Sequence, residues 1–168
     1  FDVLLRHAVH LERAREHVLG YTCLNDVTAR DLQARDGQWT RAKGFDTFSP
    51  IGPCIAVGLD PSELDVECWV NAERRQKSNT RELIFPIAEL VAFISSIMTL
   101  LPGDIIATGT PSGIGPLGAG DTVTVTYVGT FTNGSQFDAG TFSFRLGANQ
   151  VIAGFDQVAL VKHLDLQF

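Results

Sequence analysis

Cysteine, positive charge and long apolar runs are all scarce in this chain. Its 168 residues include three widely spaced cysteines without a Cys-x-x-Cys pair, which argues against a disulfide framework and predicts a reducing compartment. Thirteen Lys and Arg against nineteen Asp and Glu leave a formal net charge of −6, which argues against a general binder of nucleic acid or acidic membranes. The longest mainly apolar stretch, 83–101, is interrupted by proline and polar residues, so it predicts a buried helix and not a membrane span.

The remaining composition is typical of a folded, mildly acidic globular domain. Hydrophobic residues make up 45% of the chain and charged residues 19%, which is enough to build a core. The length suits one domain. The apolar opening 1–5 is too short for a signal peptide, so the sequence predicts a cytoplasmic protein.

Periodicity and turn residues predict a β-rich chain with few helices. The predicted helices are 8–19, 26–36 and 86–100, the last apolar on most sides and therefore covered. The predicted strands are 67–70, 21–25, 105–108, 121–129 and 158–168. Turns are predicted at Asn71-Ala72 and at Thr132-Asn133-Gly134, and a loop over 39–53.

A glycine-rich loop, 109–120, contains one literal match to G-x-G-x-x-G at 113–118. A dinucleotide site requires such a loop to open a helix, whose N-terminal amides hold the pyrophosphate. Here the loop leads into an alternating β pattern, Pro116 interrupts it, and the chain has no G-K-[ST] motif. The pattern therefore argues against nucleotide binding.

The segment that begins at Asp26 allows two interpretations. Arg30 and Gln33 are three residues apart on one helical face, so with Asp26 they could hold a divalent ion and an anionic, oxygen-rich substrate. Alternatively Asp26 is a helix N-cap, with Thr28 and Asp31 as a capping pair. Spacing alone favours the capping interpretation.

Four successive blocks of the chain resemble the fumarylacetoacetate hydrolase family, over roughly residues 14–125. The blocks are YTCLNDVTARDLQ, WTRAKGFDTFSPIGP, WVNAERRQKSNTRELIFPIAELVAFISS and LLPGDIIATGTPSGIGPLGAGDTV. The resemblance implies a β-rich, rolled-sheet catalytic domain, often in a homodimer. It also implies a Mg²⁺- or Mn²⁺-dependent enzyme that hydrolyses, decarboxylates or isomerises 2-oxo, acylpyruvate-type acids.

The resemblance also implies roles for individual residues. Asp26 matches a metal-binding aspartate, and Lys43 matches a lysine that neutralises developing oxyanion charge. The implied substrate-binding residues are Arg30, Gln33, Thr110 and Gln76.

The family's further metal ligands have no counterpart before Asp26. The family supplies them as a Glu-x-Glu pair upstream of its aspartate, and the 25 residues before Asp26 contain no such pair. Asp2 is a poor substitute, and Asp65-x-Glu67 lies in a different block, where an exposed strand edge is the expected role. A magnesium or manganese ion is therefore expected to bind weakly or not at all.

Residues 121–157 resemble the FK506-binding type of peptidyl-prolyl isomerase. That resemblance implies an apolar proline pocket, and the alternative interpretation is an ordinary core. The matching positions are Tyr127, Phe137, Asp138, Phe142, Phe144, Val151, Ile152 and Phe155. The later half of the isomerase pattern is missing from the chain.

These observations leave three functional hypotheses. The first is a metal-dependent hydrolase, lyase or isomerase of a small 2-oxo acid, with an incomplete metal site. The second is a proline-binding or isomerase module, and the third is a folded, inactive chimera of the two families. The predicted fold is α+β and β-rich: a rolled mixed sheet over 1–125, with an antiparallel isomerase-like segment over 121–168 packed on the same domain.

Overall fold

A computed structural model describes residues 8–46, 48–118, 120–130, 136–145 and 166–167 of the chain. The α-helices in these residues are α1 (Arg30–Asp36), α2 (Thr40–Lys43) and α3 (Ile87–Ile97). The 3-10 helices are Leu11–His17, Pro61–Glu63 and Thr80–Glu82. The strands are β1 (Tyr21–Asn25), β2 (Ile51–Ala56), β3 (Asp65–Val70), β4 (Glu73–Asn79), β5 (Thr122–Thr130), β6 (Gln136–Arg145) and β7 (Leu166–Gln167).

The strands form two sheets. One has the order β2-β1-β7 and the other β4-β3-β5-β6. Every strand pair that the structure describes is antiparallel, so the expectation of a mixed sheet is wrong for these residues. The α+β, β-rich class with few helices is confirmed.

The hairpin β3–β4 forms where the sequence predicts a turn. Asn71 and Ala72 both have positive φ, 50° and 65°, as a two-residue turn that matches the strand twist requires. Side chains of β3 alternate between solvent and core, with Val66, Cys68 and Val70 buried. Because β3 pairs with β4 on one side and β5 on the other, the expected strand edge at Asp65-x-Glu67 is wrong.

Helix α3 packs against the Leu11–His17 helix, with Val91 and Ser95 on its buried face. Ser95 Oγ accepts a hydrogen bond from the backbone N–H of Val9 at 2.8 Å. The opposite face is open: Phe93 is 66% exposed and Ile97 56%. The expectation that this apolar helix is covered is therefore wrong in the isolated chain. No helix among the described residues is long and apolar enough to cross a membrane.

Three other predicted elements differ from the structure. The first helix is a 3-10 helix, and the bonds from Arg13 to His10 and from Val18 to Arg15 follow the i,i+3 pattern. The predicted loop 39–53 contains α2 and the start of β2. Ile105, Ile106 and Thr108 are β-branched, yet residues 105–108 are irregular, because strand propensity forms a strand only where a partner supplies a ladder.

The remaining C-terminal predictions are tested only in part. Strand β5 confirms the alternating pattern of 121–129, and β7 lies within the predicted strand 158–168. The turn at 132–134 lies outside the described residues. Strands β5 and β6 share one sheet with β3 and β4, whereas β7 pairs with β1 in the other sheet.

Candidate active site

The candidate site is built around a buried turn that follows β1. All seven residues from Cys23 to Ala29 are buried. Backbone bonds hold the turn to two neighbouring segments: Asn25 N–H donates to the Pro50 carbonyl at 3.0 Å, and Ala29 N–H donates to the Ala42 carbonyl at 2.9 Å. These two buried backbone N–H groups are thereby satisfied, and α2 is fixed beside the turn.

Asp26 lies in this turn and not in a helix. Helix α1 begins at Arg30, its N-cap is Ala29, and no side chain caps it. Thr28 Oγ1 donates to the carbonyl of Asp26 at 2.9 Å, which stabilises the turn itself. The capping interpretation of Asp26 is therefore wrong.

Lys43 joins α2 to the Asp26 turn. Its Nζ donates to Asp26 Oδ2 and, at 3.2 Å, to Thr28 Oγ1. The Lys43 side chain is 25% exposed and the Asp26 side chain 11%. Such an enclosed ion pair keeps most of its Coulomb attraction, since solvent screens it poorly. The family resemblance names both residues and implies that Lys43 lies near the Asp26 carboxylate, as it does here.

The indole of Trp39 also contacts this ammonium, with Lys43 Nζ 5.7 Å from the ring centroid. Trp39 and Lys43 stand four residues apart, and the Lys43 N–H donates to the Trp39 carbonyl at 3.1 Å. The helical turn therefore brings ring and cation together. Thr28 and Trp39 were not among the predicted site residues. Their positions in the sequence could have indicated them, because Thr28 is two residues after Asp26 and Trp39 is four residues before Lys43.

Two further contacts join predicted substrate-binding residues in pairs. Arg30 Nη1 donates to Gln33 Oε1 at 2.7 Å on the first turn of α1. Gln76 Nε2, on β4, donates to Thr110 Oγ1 at 2.8 Å and to the Pro111 carbonyl at 3.0 Å. Gln76 is 1% exposed, whereas Thr110 is exposed.

The glycine loop lies directly on β4 beside this contact. A Cβ on Gly113 would lie 1.9 Å from the carbonyl oxygen of Arg75, and Gly113 has a φ of +103°. Both facts require glycine here. The loop is followed by β5 and not by a helix, in agreement with the argument against nucleotide binding.

The described residues do not assemble a complete divalent-metal site. They contain no group of three or more His, Cys, Asp or Glu that could hold an ion. Asp26 contributes one carboxylate, and the ammonium of Lys43 beside it opposes a second cation electrostatically. These residues alone do not fit the metal that the resemblance implies.

Two buried thiols lie in the two sheets. Burial raises the pKa of Cys23 on β1 to about 11, and the neighbouring Cys54 adds to the rise. Burial raises the pKa of Cys68 on β3 to about 12. Both thiols therefore stay protonated near neutral pH and are poor nucleophiles.

The alternative proline pocket falls partly outside the described residues. Tyr127 lies on β5, opposite Gly140, and the predicted positions on β6 are Phe137, Asp138, Phe142 and Phe144. Val151, Ile152 and Phe155 lie outside the described part of the chain. The pocket therefore stays a prediction.

Comparison with known proteins shows the family. Residues 4–136 match the sequence profile described as "Fumarylacetoacetate (FAA) hydrolase C-terminal". The chain belongs to the fumarylacetoacetate hydrolase family. An uncharacterized protein of Methanocaldococcus jannaschii is 63% identical over 112 residues, which are 67% of this chain and 47% of that protein. The chain spans about half the length of the curated relatives it matches.

Solved structures of two enzymes are similar to this fold. One is 5-carboxymethyl-2-hydroxymuconate delta-isomerase from Mycobacterium smegmatis, with a TM-score of 0.73, 49% identity, and coverage of 81% of this chain and 51% of that one. The other is maleylpyruvate hydrolase from Sphingobium sp. SYK-6, in complex with manganese(II) and pyruvate. Its TM-score is 0.68 and its identity 38%, with 83% of this chain and 48% of that one covered.

A second profile, of FKBP-type peptidyl-prolyl cis-trans isomerase, matches residues 116–163. It overlaps the first profile over 116–136, and most of its remaining span lies outside the described residues. This match is therefore a similarity of the segment 116–163 alone.

Proposed function

We propose that this chain binds a small 2-oxo acid of the acylpyruvate class and acts on it as a hydrolase, lyase or isomerase. The observation that carries the proposal is the contact of Lys43 with Asp26 and Thr28 in a largely enclosed turn. Solved family neighbours support it, because they include an isomerase and a hydrolase, the second crystallised with pyruvate.

The proposed chemistry needs positive charge near an oxygen that becomes negative. Hydrolysis, decarboxylation and isomerisation of such acids all pass through an enolate. An ammonium has three protons, and Lys43 donates two of them to Asp26 and Thr28, which leaves one for a substrate oxygen. In a site of low dielectric this charge stabilises the enolate more than water would.

The remaining site residues would bind and orient the acid. Arg30 would pair with a carboxylate, and Gln33 holds its guanidinium through the 2.7 Å hydrogen bond. Thr110 would donate its hydroxyl to the carboxylate end of the substrate. We expect a magnesium or manganese ion to bind only weakly at Asp26, because the described residues hold no group of three or more His, Cys, Asp or Glu.

The proposed partners are limited to a small acid and a second copy of the chain. The exposed face of α3, with Phe93 and Ile97, is the surface that we propose for a homodimer.

Widely spaced cysteines support a cytoplasmic location. The proposed units are 1–125 and an isomerase-like segment, 121–168, on the same domain.

The test is turnover of an acylpyruvate, followed by the loss of its enol absorbance. Lys43→Met should lower kcat/KM by at least ~100-fold, because it removes the charge that meets the enolate. Lys77→Met is the matched control, since Lys77 pairs with Glu67 on the β3–β4 surface at 3.3 Å. Equal losses of kcat/KM in the two variants would contradict the proposal. No turnover by the unaltered chain would also contradict it and would favour the inactive chimera.

The profile match at 116–163 supports a second candidate, a proline-binding or peptidyl-prolyl isomerase module. A protease-coupled proline-peptide assay tests it. A rate enhancement that disappears in Phe155→Ala would favour the isomerase function over the proposed action on a 2-oxo acid. No rate enhancement would rule out the isomerase function.

A further inference from the structure

We infer that Gln76 is a positioning residue for acid binding: it orients the hydroxyl of Thr110 so that the proton points to the ligand. This inference rests on the proposed function, and assigns Gln76 a role through Thr110 instead of direct contact with substrate. Gln76 is 1% exposed and lies on β4, whereas Thr110 is exposed in the glycine loop.

The orientation of the Gln76 amide follows from the chemistry of its partners. The Pro111 carbonyl can only accept a hydrogen bond, so the amide nitrogen must face it, at 3.0 Å. The same nitrogen is 2.8 Å from Thr110 Oγ1 and donates its other proton there. Both amide protons are therefore committed to the glycine loop.

This donation fixes what the Thr110 hydroxyl can do. Its oxygen accepts from Gln76, so its own proton must point in another direction. Since Thr110 is exposed, that proton can be donated to a ligand oxygen. A carboxylate oxygen accepts hydrogen bonds only, so it suits the proton that Thr110 has free to donate.

The loop backbone keeps Thr110 at this distance from β4. Gly113 approaches the Arg75 carbonyl so closely that a Cβ would stand 1.9 Å from its oxygen. Gln76 therefore holds one point of the loop and Gly113 another. A residue that only filled core space would not need two directed donors at this place.

Calorimetric titration with pyruvate, in buffer containing Mn²⁺, tests the inference. Gln76→Met keeps the side-chain length and removes both donors, so we expect affinity for pyruvate to fall about tenfold. Thr110→Val should have a similar effect. The double variant should bind no more weakly than Thr110→Val alone, because Gln76 acts through that hydroxyl.

Thr80→Val is the matched control, because Thr80 is also buried and its hydroxyl accepts from the Leu64 N–H at 2.7 Å. It should lower the melting temperature and leave pyruvate affinity unchanged. Unchanged affinity in Gln76→Met, or additive losses in the double variant, would overturn the inference alone. If the unaltered chain does not bind pyruvate, the proposed function fails, and the inference fails with it.

A second variant covers the case in which Gln76→Met does not fold. In Gln76→Glu a protonated carboxyl can still donate to Thr110, whereas an ionised one can only accept and would draw the hydroxyl proton away from the ligand. Pyruvate affinity of this variant should therefore fall as pH rises, relative to the unaltered chain. A parallel pH dependence in the two proteins would overturn the inference.

Discussion

Lys43 and Asp26 form an ion pair although 17 residues separate them along the chain. The pair joins helix α2 to the turn after β1, and Thr28 lies within hydrogen-bonding distance of the same ammonium. The two charged groups thus lie where helix α2 meets the turn after β1. An enclosed ammonium with this arrangement is suited to receive an anionic ligand.

The first prediction concerns oxalate, a small dianionic mimic of an enolate. Oxalate should raise the melting temperature of the unaltered chain by mass action, and Lys43→Met should remove this rise because the receiving charge is gone. Thermal melts with and without oxalate measure the effect. Lys43→Met alone should melt lower, since Asp26 loses this cation, and adding Asp26→Asn should recover part of the loss. An oxalate shift that survives in Lys43→Met would contradict the role of Lys43.

A second prediction concerns the metal. Mn²⁺ should bind with a dissociation constant of about a millimolar or weaker, because one carboxylate beside an ammonium is a poor ligand set. Asp26→Asn should weaken this binding further in calorimetric titration. Micromolar binding by the unaltered chain would show a complete site, and equal binding by both proteins would remove Asp26 from it.

The third prediction concerns the glycine loop. Gly113→Ala should lower the free energy of unfolding by more than about 2 kcal/mol, because its Cβ would stand 1.9 Å from the Arg75 oxygen at a φ of +103°. Gly37→Ala is the control: Gly37 also has a positive φ, +68°, but nothing lies within 4 Å of its Cβ position. Gly37→Ala should lower the free energy of unfolding by only about 1 kcal/mol. Denaturant unfolding of the two variants measures both free energies. Equal losses in the two variants would count against the close contact between Gly113 and Arg75.

The fourth prediction tests the open face of α3. Phe93→Glu should shift the chain toward monomer in sedimentation experiments, because it puts charge on the proposed dimer surface. Glu89→Gln, an exposed substitution in the first turn of the same helix, should leave association unchanged. A monomeric unaltered chain at high concentration would refute the proposed dimer.

The fifth prediction concerns stability at alkaline pH. Burial raises the pKa values of Cys23 and Cys68 to about 11 and about 12 in the fold, from an ordinary value of 9.0. The unfolded thiols therefore ionise first, so this contribution is intact below pH 9 and is lost as pH rises toward 11–12. Cys68→Ala should flatten the fall in unfolding free energy between pH 8 and pH 10. An unchanged slope would mean that Cys68 is not buried in solution.

The sequence predicted local features well where one segment determines them. The positive-φ turn at Asn71-Ala72, the alternating strand β5 and the body of α3 all follow from short patterns. The family resemblance named Asp26 and Lys43. Their contact could not be predicted from spacing, because it depends on how α2 docks beside the turn after β1.

The incorrect predictions share a physical cause, which is the tertiary context of the segment. Asp26 has an N-cap residue type, but backbone bonds around the turn postpone the helix to Arg30. Residues 105–108 have strand propensity without a described ladder. Helix α3 is apolar enough to be covered, yet in the single chain only one face is packed.

The pairing of β3 with β5 joins strands that lie far apart in the chain, which bears on how the sheet assembles. Asn71 and Asp121, joined by a 2.7 Å hydrogen bond at the end of that pairing, are 50 residues apart in the chain. Closing this long loop has a larger entropic cost than closing the two-residue turn between β3 and β4, so we expect the β3–β5 pairing to form after the β3–β4 hairpin. Thr110 lies inside the loop being closed. We therefore expect the contact between Thr110 and Gln76 to form late in folding, after the strand β4 that carries Gln76.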